Sequence, residues 1–156
     1  MKNIYFPDEE ITANDLYFVC YMIERTARKL HQHNFYIAKK LGLNGLRHQL
    51  SVANVNHCVN PLQIEQDWID EYDLNFGNFD ITDVDRTLAE VIPVPTQIGK
   101  VYMRLILETL LPGEDYAEAI LRVYESDICK TIDNYNCSAY YEPSYVIARA
   151  YHEGGF

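Results

Sequence analysis

The chain has 156 residues, of which 48% are apolar and 13% aromatic, with few Gly or Pro; this fits one domain with a real core and excludes a disordered or fibrous chain. Its formal net charge of −10 disfavours a nucleic-acid partner unless the basic residues are gathered on one face. The longest fully apolar run, Leu16 to Ile23, is far too short to span a bilayer, and with the early acids Asp8, Glu9 and Glu10 no signal peptide is expected.

Residues 1–11 read as an extended lead-in. Thr12 with Asp15 forms a capping-box start for a first helix reaching about His31, with Leu16, Val19, Cys20, Ile23, Ala27 and Leu30 at helical spacing. Asn34 is placed to cap a second, short helix carrying Ile37, Ala38 and Leu41, which Gly42 ends. A third helix shows Leu46, Leu50 and Ala53 on one face. Asn60-Pro61 opens a fourth, with Ile64, Trp68 and Tyr72 on its inner side.

Residues 73–95 are the least regular part. Phe79-Asp-Ile-Thr82 alternates as a short strand would, and Pro93 and Pro95 argue against a helix there. Thr96 is placed to cap a strong helix to about Leu111, stopped by Pro112-Gly113. Asp115 with Glu118 starts another, and Ser126 caps a further short one. The last helix runs from Pro143 to about His152 and ends at Gly154-Gly155. The expected fold is mainly α: a single domain over residues 1–156, built as an orthogonal bundle of about seven or eight helices. The first helix and the 96–111 helix should form its centre.

Charge is distributed in blocks. Six Lys/Arg and no acid fall between Arg25 and Ile64, while nine acids and only Arg86 fall between Glu65 and Glu90. Internal neutralisation is the leading expectation, and an exposed anion-binding face the sharper one. Within the basic block, Ile37-Ala-Lys-Lys-Leu-Gly-Leu-Asn-Gly-Leu46 has the small residue and turn glycine of a helix-turn-helix. His48 then stands where an inward aliphatic is required, so a DNA-binding reading over residues 25–50 ranks below two core helices joined by a turn. Asp83-Val-Asp-Arg-Thr-Leu88 matches the nucleophile signature of haloacid-dehalogenase-type phosphatases. It lacks the preceding buried strand and any later acidic motif for magnesium, which makes it a chance match. His31, His33, His57 and Cys58 lack the paired spacing of a zinc site. No cofactor or metal is expected.

The densest grouping of functional side chains is Asp133–Tyr151, which holds five of the thirteen tyrosines. Tyr135, Cys137, Tyr140, Tyr141, Glu142 and Tyr145 are its candidate binding residues. Phenol rings can stack a ligand and present hydroxyls, and they also serve as half-buried filler. A small enzyme could use Cys137 as nucleophile if a histidine lowered its pKa. The nearest one in sequence, His152, lies at the far end of the last helix, and no catalytic residue is assigned. Cys20 and the other thiols are expected to be free in a reducing cytoplasm.

Residues 15–72 resemble a family of short helical bacterial proteins often encoded beside ADP-ribosyltransferase-like proteins. The resemblance is carried by Phe18-Val-Cys-Tyr-Met-Ile-Glu24, Ile37-Ala-Lys-Lys-Leu-Gly-Leu43 and Ile64-Glu-Gln-Asp-Trp-Ile-Asp-Glu-Tyr72. It covers less than half the chain and carries over no functional residues. It implies a bacterial cytoplasmic setting and a non-catalytic interaction or regulatory module with a protein partner encoded nearby. A second copy of the chain is another partner class, and no membrane is expected. The contact face would be the acidic 65–90 segment or the Tyr-rich end.

Overall fold

The computed structural model covers all 156 residues and contains seven α-helices and no strand. They are α1 (Ala13–Leu30), α2 (Asn34–Asn56), α3 (Pro61–Glu71), α4 (Pro95–Thr109), α5 (Tyr116–Glu125), α6 (Asp127–Ile132) and α7 (Ser144–Glu153), with a single 3-10 turn at Ala139–Tyr141. Only an isolated bridge between Lys2 and Glu10 has β geometry. No helix is long and apolar enough to cross a membrane.

Local chemistry explains most of the boundaries. Thr12 and Asp15 exchange side-chain and backbone hydrogen bonds in a capping box at α1, and Asp115 and Glu118 repeat the device at α5. Ser126 caps α6 by accepting from the Cys129 amide, and Asn60 precedes Pro61 at the start of α3. Gly42 takes φ 67° inside α2 and kinks it, so α2 is two packed helical pieces. That left-handed φ costs glycine little and other residues much.

Three local expectations differ from the structure. Asn34 does not cap α2. His33 holds the cap position without a side-chain bond, while the Asn34 amide turns into the core, drawn by two buried carboxyls. Thr96 does not cap α4 either. Pro95 tolerates the first helical position, so the cap lies two residues earlier, at Val94. Phe79–Thr82 is not a strand, because Asp80 Oδ1 accepts from both the Thr82 amide (2.9 Å) and its hydroxyl (2.6 Å) and curls the segment into a turn.

The centre of the bundle is α1 packed on α4, with α2 on the other side of α1 and α5 against α2. Gly99 makes the α1–α4 approach close: a Cβ there would lie 3.0 Å from the Tyr21 N, Cα and Cβ atoms. Leu16, Val19, Ile23, Ala27 and Leu30 of α1 join Ile98, Tyr102, Leu105 and Ile106 of α4 in one buried cluster. Each large aliphatic so buried contributes about 1.5–3 kcal/mol. The irregular 73–95 segment is fastened to the end of α1, where the Gly77 and Phe79 amides donate to the Leu30 and His31 carbonyls at 2.8 and 2.9 Å. These bonds occupy carbonyls that a helix end leaves free.

The charge blocks neutralise only in part. Arg25 and Lys29 pair with Glu65 at 2.6 and 3.5 Å. Arg28 turns to Glu24, and Arg47 to Asp115 and Glu118. Lys39 and Lys40 are exposed.

Candidate functional site

A buried polar cluster sits where α1, α2, α4 and α6 meet. Glu24 enters from α1 on the same buried face as Ile23 and Ala27, and Asp133 follows the last turn of α6. The two carboxyls are bridged by Asn34, whose Nδ2 donates to Glu24 Oε2 at 2.6 Å and to Asp133 Oδ2 at 3.2 Å. Turning its donors toward two acceptors leaves Asn34 Oδ1 buried without a partner. Arg28 supplies the one cation by donating to Glu24 Oε1 at 3.0 Å.

Neutral donors complete the cluster. The Tyr102 hydroxyl donates to Asp133 Oδ1 at 2.6 Å, the Cys129 thiol to Asp133 Oδ2 at 3.4 Å, and the Tyr135 hydroxyl to Glu24 Oε1. Burial, and then the Glu24 charge, push the Asp133 carboxyl up from its ordinary 3.8 to about 7. Bonds from Tyr102, Cys129 and Asn34 act the other way without prevailing. Burial is also the main cause that raises the Tyr102, Tyr135 and Cys129 groups above their ordinary values. These phenols and the thiol therefore stay protonated as donors. Tyr124 stacks on Tyr102 with ring centroids 4.3 Å apart.

A cleft of about 670 Å³ opens directly onto this cluster. Asp133, Tyr135, Cys129 and Tyr124 form its floor, Phe35 and Tyr36 of α2 one wall, and Phe79, Ile81 and Val84 the other. His33 stacks flat on Phe79 at 3.7 Å and stiffens that wall. Asn75 is held by the Tyr36 hydroxyl at 2.9 Å, and Asn136 accepts from the Asp85 amide at 2.7 Å, so the irregular segment is tied down at both flanks of the cleft. Its volume and mixed apolar and polar lining match those of small-molecule sites.

The Tyr-rich stretch divides between different surfaces. Tyr135 is 2% exposed and belongs to the cleft floor. Tyr140, Tyr141 and Glu142 line a smaller hollow of about 210 Å³ beside Gln97, Lys100 and Arg104 of α4. Tyr145 projects from α7 and is 68% exposed, and Tyr141, four residues before it, is 77% exposed. Cys137 lines neither hollow, and its thiol donates to the Thr131 and Asn134 carbonyls. Neither Cys137 nor a histidine borders the 210 Å³ hollow. Nor do three His, Cys, Asp or Glu side chains converge as a metal site. Asp83 and Asp85 lie on the exposed loop, where Asp85 bonds Thr87.

The sequence reading missed Glu24, Asn34, Asp133 and the aromatic walls. One signal was present: Glu24 falls on the apolar stripe of α1, where a charge requires a buried partner. The chain matches no protein-family model, no curated protein and no solved structure, so its functional reading rests on this geometry.

Proposed function

We propose that this chain is a non-catalytic binding module with a regulatory role, and that its recognition site is the cleft above Asp133. The supporting observation is the arrangement of that cleft: aromatic and aliphatic walls on two separate segments converge on a buried, hydrogen-bonded carboxyl. A site of this kind orients a small ligand by one polar end while its body is removed from water. Occupancy would tie the 79–84 segment to α2, which gives the ligand a means of altering the outer face presented to a partner.

Native mass spectrometry of the chain incubated with a bacterial small-molecule extract tests this reading. Val84→Trp fills the cleft from a half-buried position, so it should abolish adducts that the unmodified chain retains. Adducts insensitive to Val84→Trp would overturn the assignment, and chemical turnover of a retained compound would make the chain an enzyme.

A second reading is contact with a protein partner through the α7 face. Tyr141 and Tyr145 are large, exposed and close in sequence, and aromatic side chains of this kind dominate interface energetics. Pull-down with Tyr141→Ser/Tyr145→Ser as control separates it from the cleft.

A further inference from the structure

We propose that the cleft takes a small organic cation: an ammonium or amine on an apolar or aromatic body, with its charged end directed at Asp133. This rests on the cleft being the binding site and adds the ligand's chemical class.

The inference starts from an imbalance in the floor. Two carboxyls, Glu24 and Asp133, share one amide and one cation, and Arg28 is committed to Glu24. Everything else that faces Asp133 is neutral: Tyr102 from α4, Tyr124 from α5, Cys129 from α6, Tyr135 beyond it and Asn34 from α2. Asp133 therefore has hydrogen bonds and no countercharge. A buried carboxylate without one is costly, and this is why its proton is retained to about pH 7. A ligand that brings a positive charge to the floor supplies what the fold omits.

The walls and rim suit the same class. Cations are drawn to aromatic faces, and the cleft already displays one such contact in its own chain: the Lys39 ammonium lies 5.9 Å over the Phe35 ring. Phe79 and Tyr36 offer further aromatic surface. At the rim, the acids Asp80, Asp83 and Glu125 and the cation Lys39 form no salt bridge, and Lys130 is engaged by Asp127 at 3.1 Å. The rim acids outnumber the rim lysines, and the overall charge of −10 adds attraction for a cation at long range.

A cation stabilises the ionised form of Asp133, so its binding must release a proton wherever the free carboxyl is protonated. The test uses 2-phenylethylamine as probe, with neutral 2-phenylethanol and anionic phenylacetate as isosteres, and the complete chain isotopically labelled for NMR. The amine is expected to shift Tyr36, Phe79 and Tyr135 resonances and to bind more tightly than either isostere. Its affinity should fall by about tenfold between pH 8 and pH 6, with proton release measurable by calorimetry in buffers of different ionisation enthalpy. Asp133→Asn should remove both the preference for amine and the pH dependence. If that variant misfolds, the buffer-dependent proton release of the unmodified chain still decides.

Equal or tighter binding of the alcohol or phenylacetate at the same resonances would overturn the cation assignment and leave the binding module intact. Amine binding at other resonances, or at none, would overturn the assignment as well. The Val84→Trp adduct experiment separately decides whether the cleft binds anything.

Discussion

Replacing Asp133 with Asn should change how stability depends on pH, and the magnitude can be worked from the structure. The carboxyl titrates near 3.8 in an unfolded chain and near 7 in the folded one. Below about pH 4 both states hold the proton and the residue is neutral in its effect. Between those values only the folded state holds it, so stability falls as pH rises; above about 7 the loss is complete. At about 1.4 kcal/mol for each tenfold change in proton activity, the full loss is on the order of 4 kcal/mol. An amide cannot titrate. Relative to the protonated carboxyl, Asp133→Asn alters the bonds with Tyr102 and Cys129 by an amount that does not depend on pH. Relative to the unmodified chain, however, it should gain steadily from about pH 4.5 to about 7 and level off above that. Trp68, the lone tryptophan and fully buried, reports urea unfolding by fluorescence across that range. A variant stability that, measured relative to the parent, stays flat or falls as pH rises would refute the reasoning.

Other predictions concern the frame. Gly99→Ala should lose roughly 1–2 kcal/mol and lower Tm by several degrees in calorimetry, because overpacking against the Tyr21 backbone outweighs the gain in helix propensity. Arg122→Ala should cost about 2 kcal/mol in urea unfolding. It removes bonds to Glu114 at 2.7 and 2.8 Å, to the Thr109 carbonyl at 3.1 Å and to the Tyr151 hydroxyl at 2.7 Å. Arg122 hydrogen bonding holds the Glu114 carboxyl below its ordinary value, so this pair stabilises the fold above that range and the benefit disappears as pH falls through the lowered value. The Arg122→Ala penalty should therefore diminish in acid. Thr12→Ala should cost about 1 kcal/mol by breaking the capping box of α1, seen as faster amide exchange over the first turn of that helix.

Much of the bundle was legible because its signals are local. Thr12 with Asp15, Asp115 with Glu118, Ser126 and Pro61 each act within four residues, and the apolar spacing of α1 and α4 follows from helical geometry alone. Asn34 and Thr96 satisfy the same capping pattern and do not cap, for different reasons. Asn34 is drawn inward by Asp133, 99 residues away in sequence, and Pro95 captures the start of its helix first. The alternation at Phe79–Thr82 had no partner strand, so a side-chain turn prevailed. The cleft was the least legible feature, because its floor and walls come from α2, α5, α6 and two loops. A dense run of tyrosines drew attention to 133–151, yet residues adjacent there face different surfaces: Tyr135 points into the cleft floor while Tyr141 stands in solvent.

The attachment of the 77–79 segment to α1 bears on how this site could change over generations. Its two bonds at Gly77 and Phe79 run from backbone to backbone, so their formation is indifferent to most side chains. Gly77 is constrained, since a Cβ there would fall 2.6 Å from the His31 carbonyl oxygen, and Ile81 is held by its place in the core. The half-buried positions 79 and 84 can therefore take apolar residues of other shapes and remodel one wall of the cleft while the chain path stays anchored to the most buried helix. The fold in this way separates what fixes the site in place from what decides which molecule it admits.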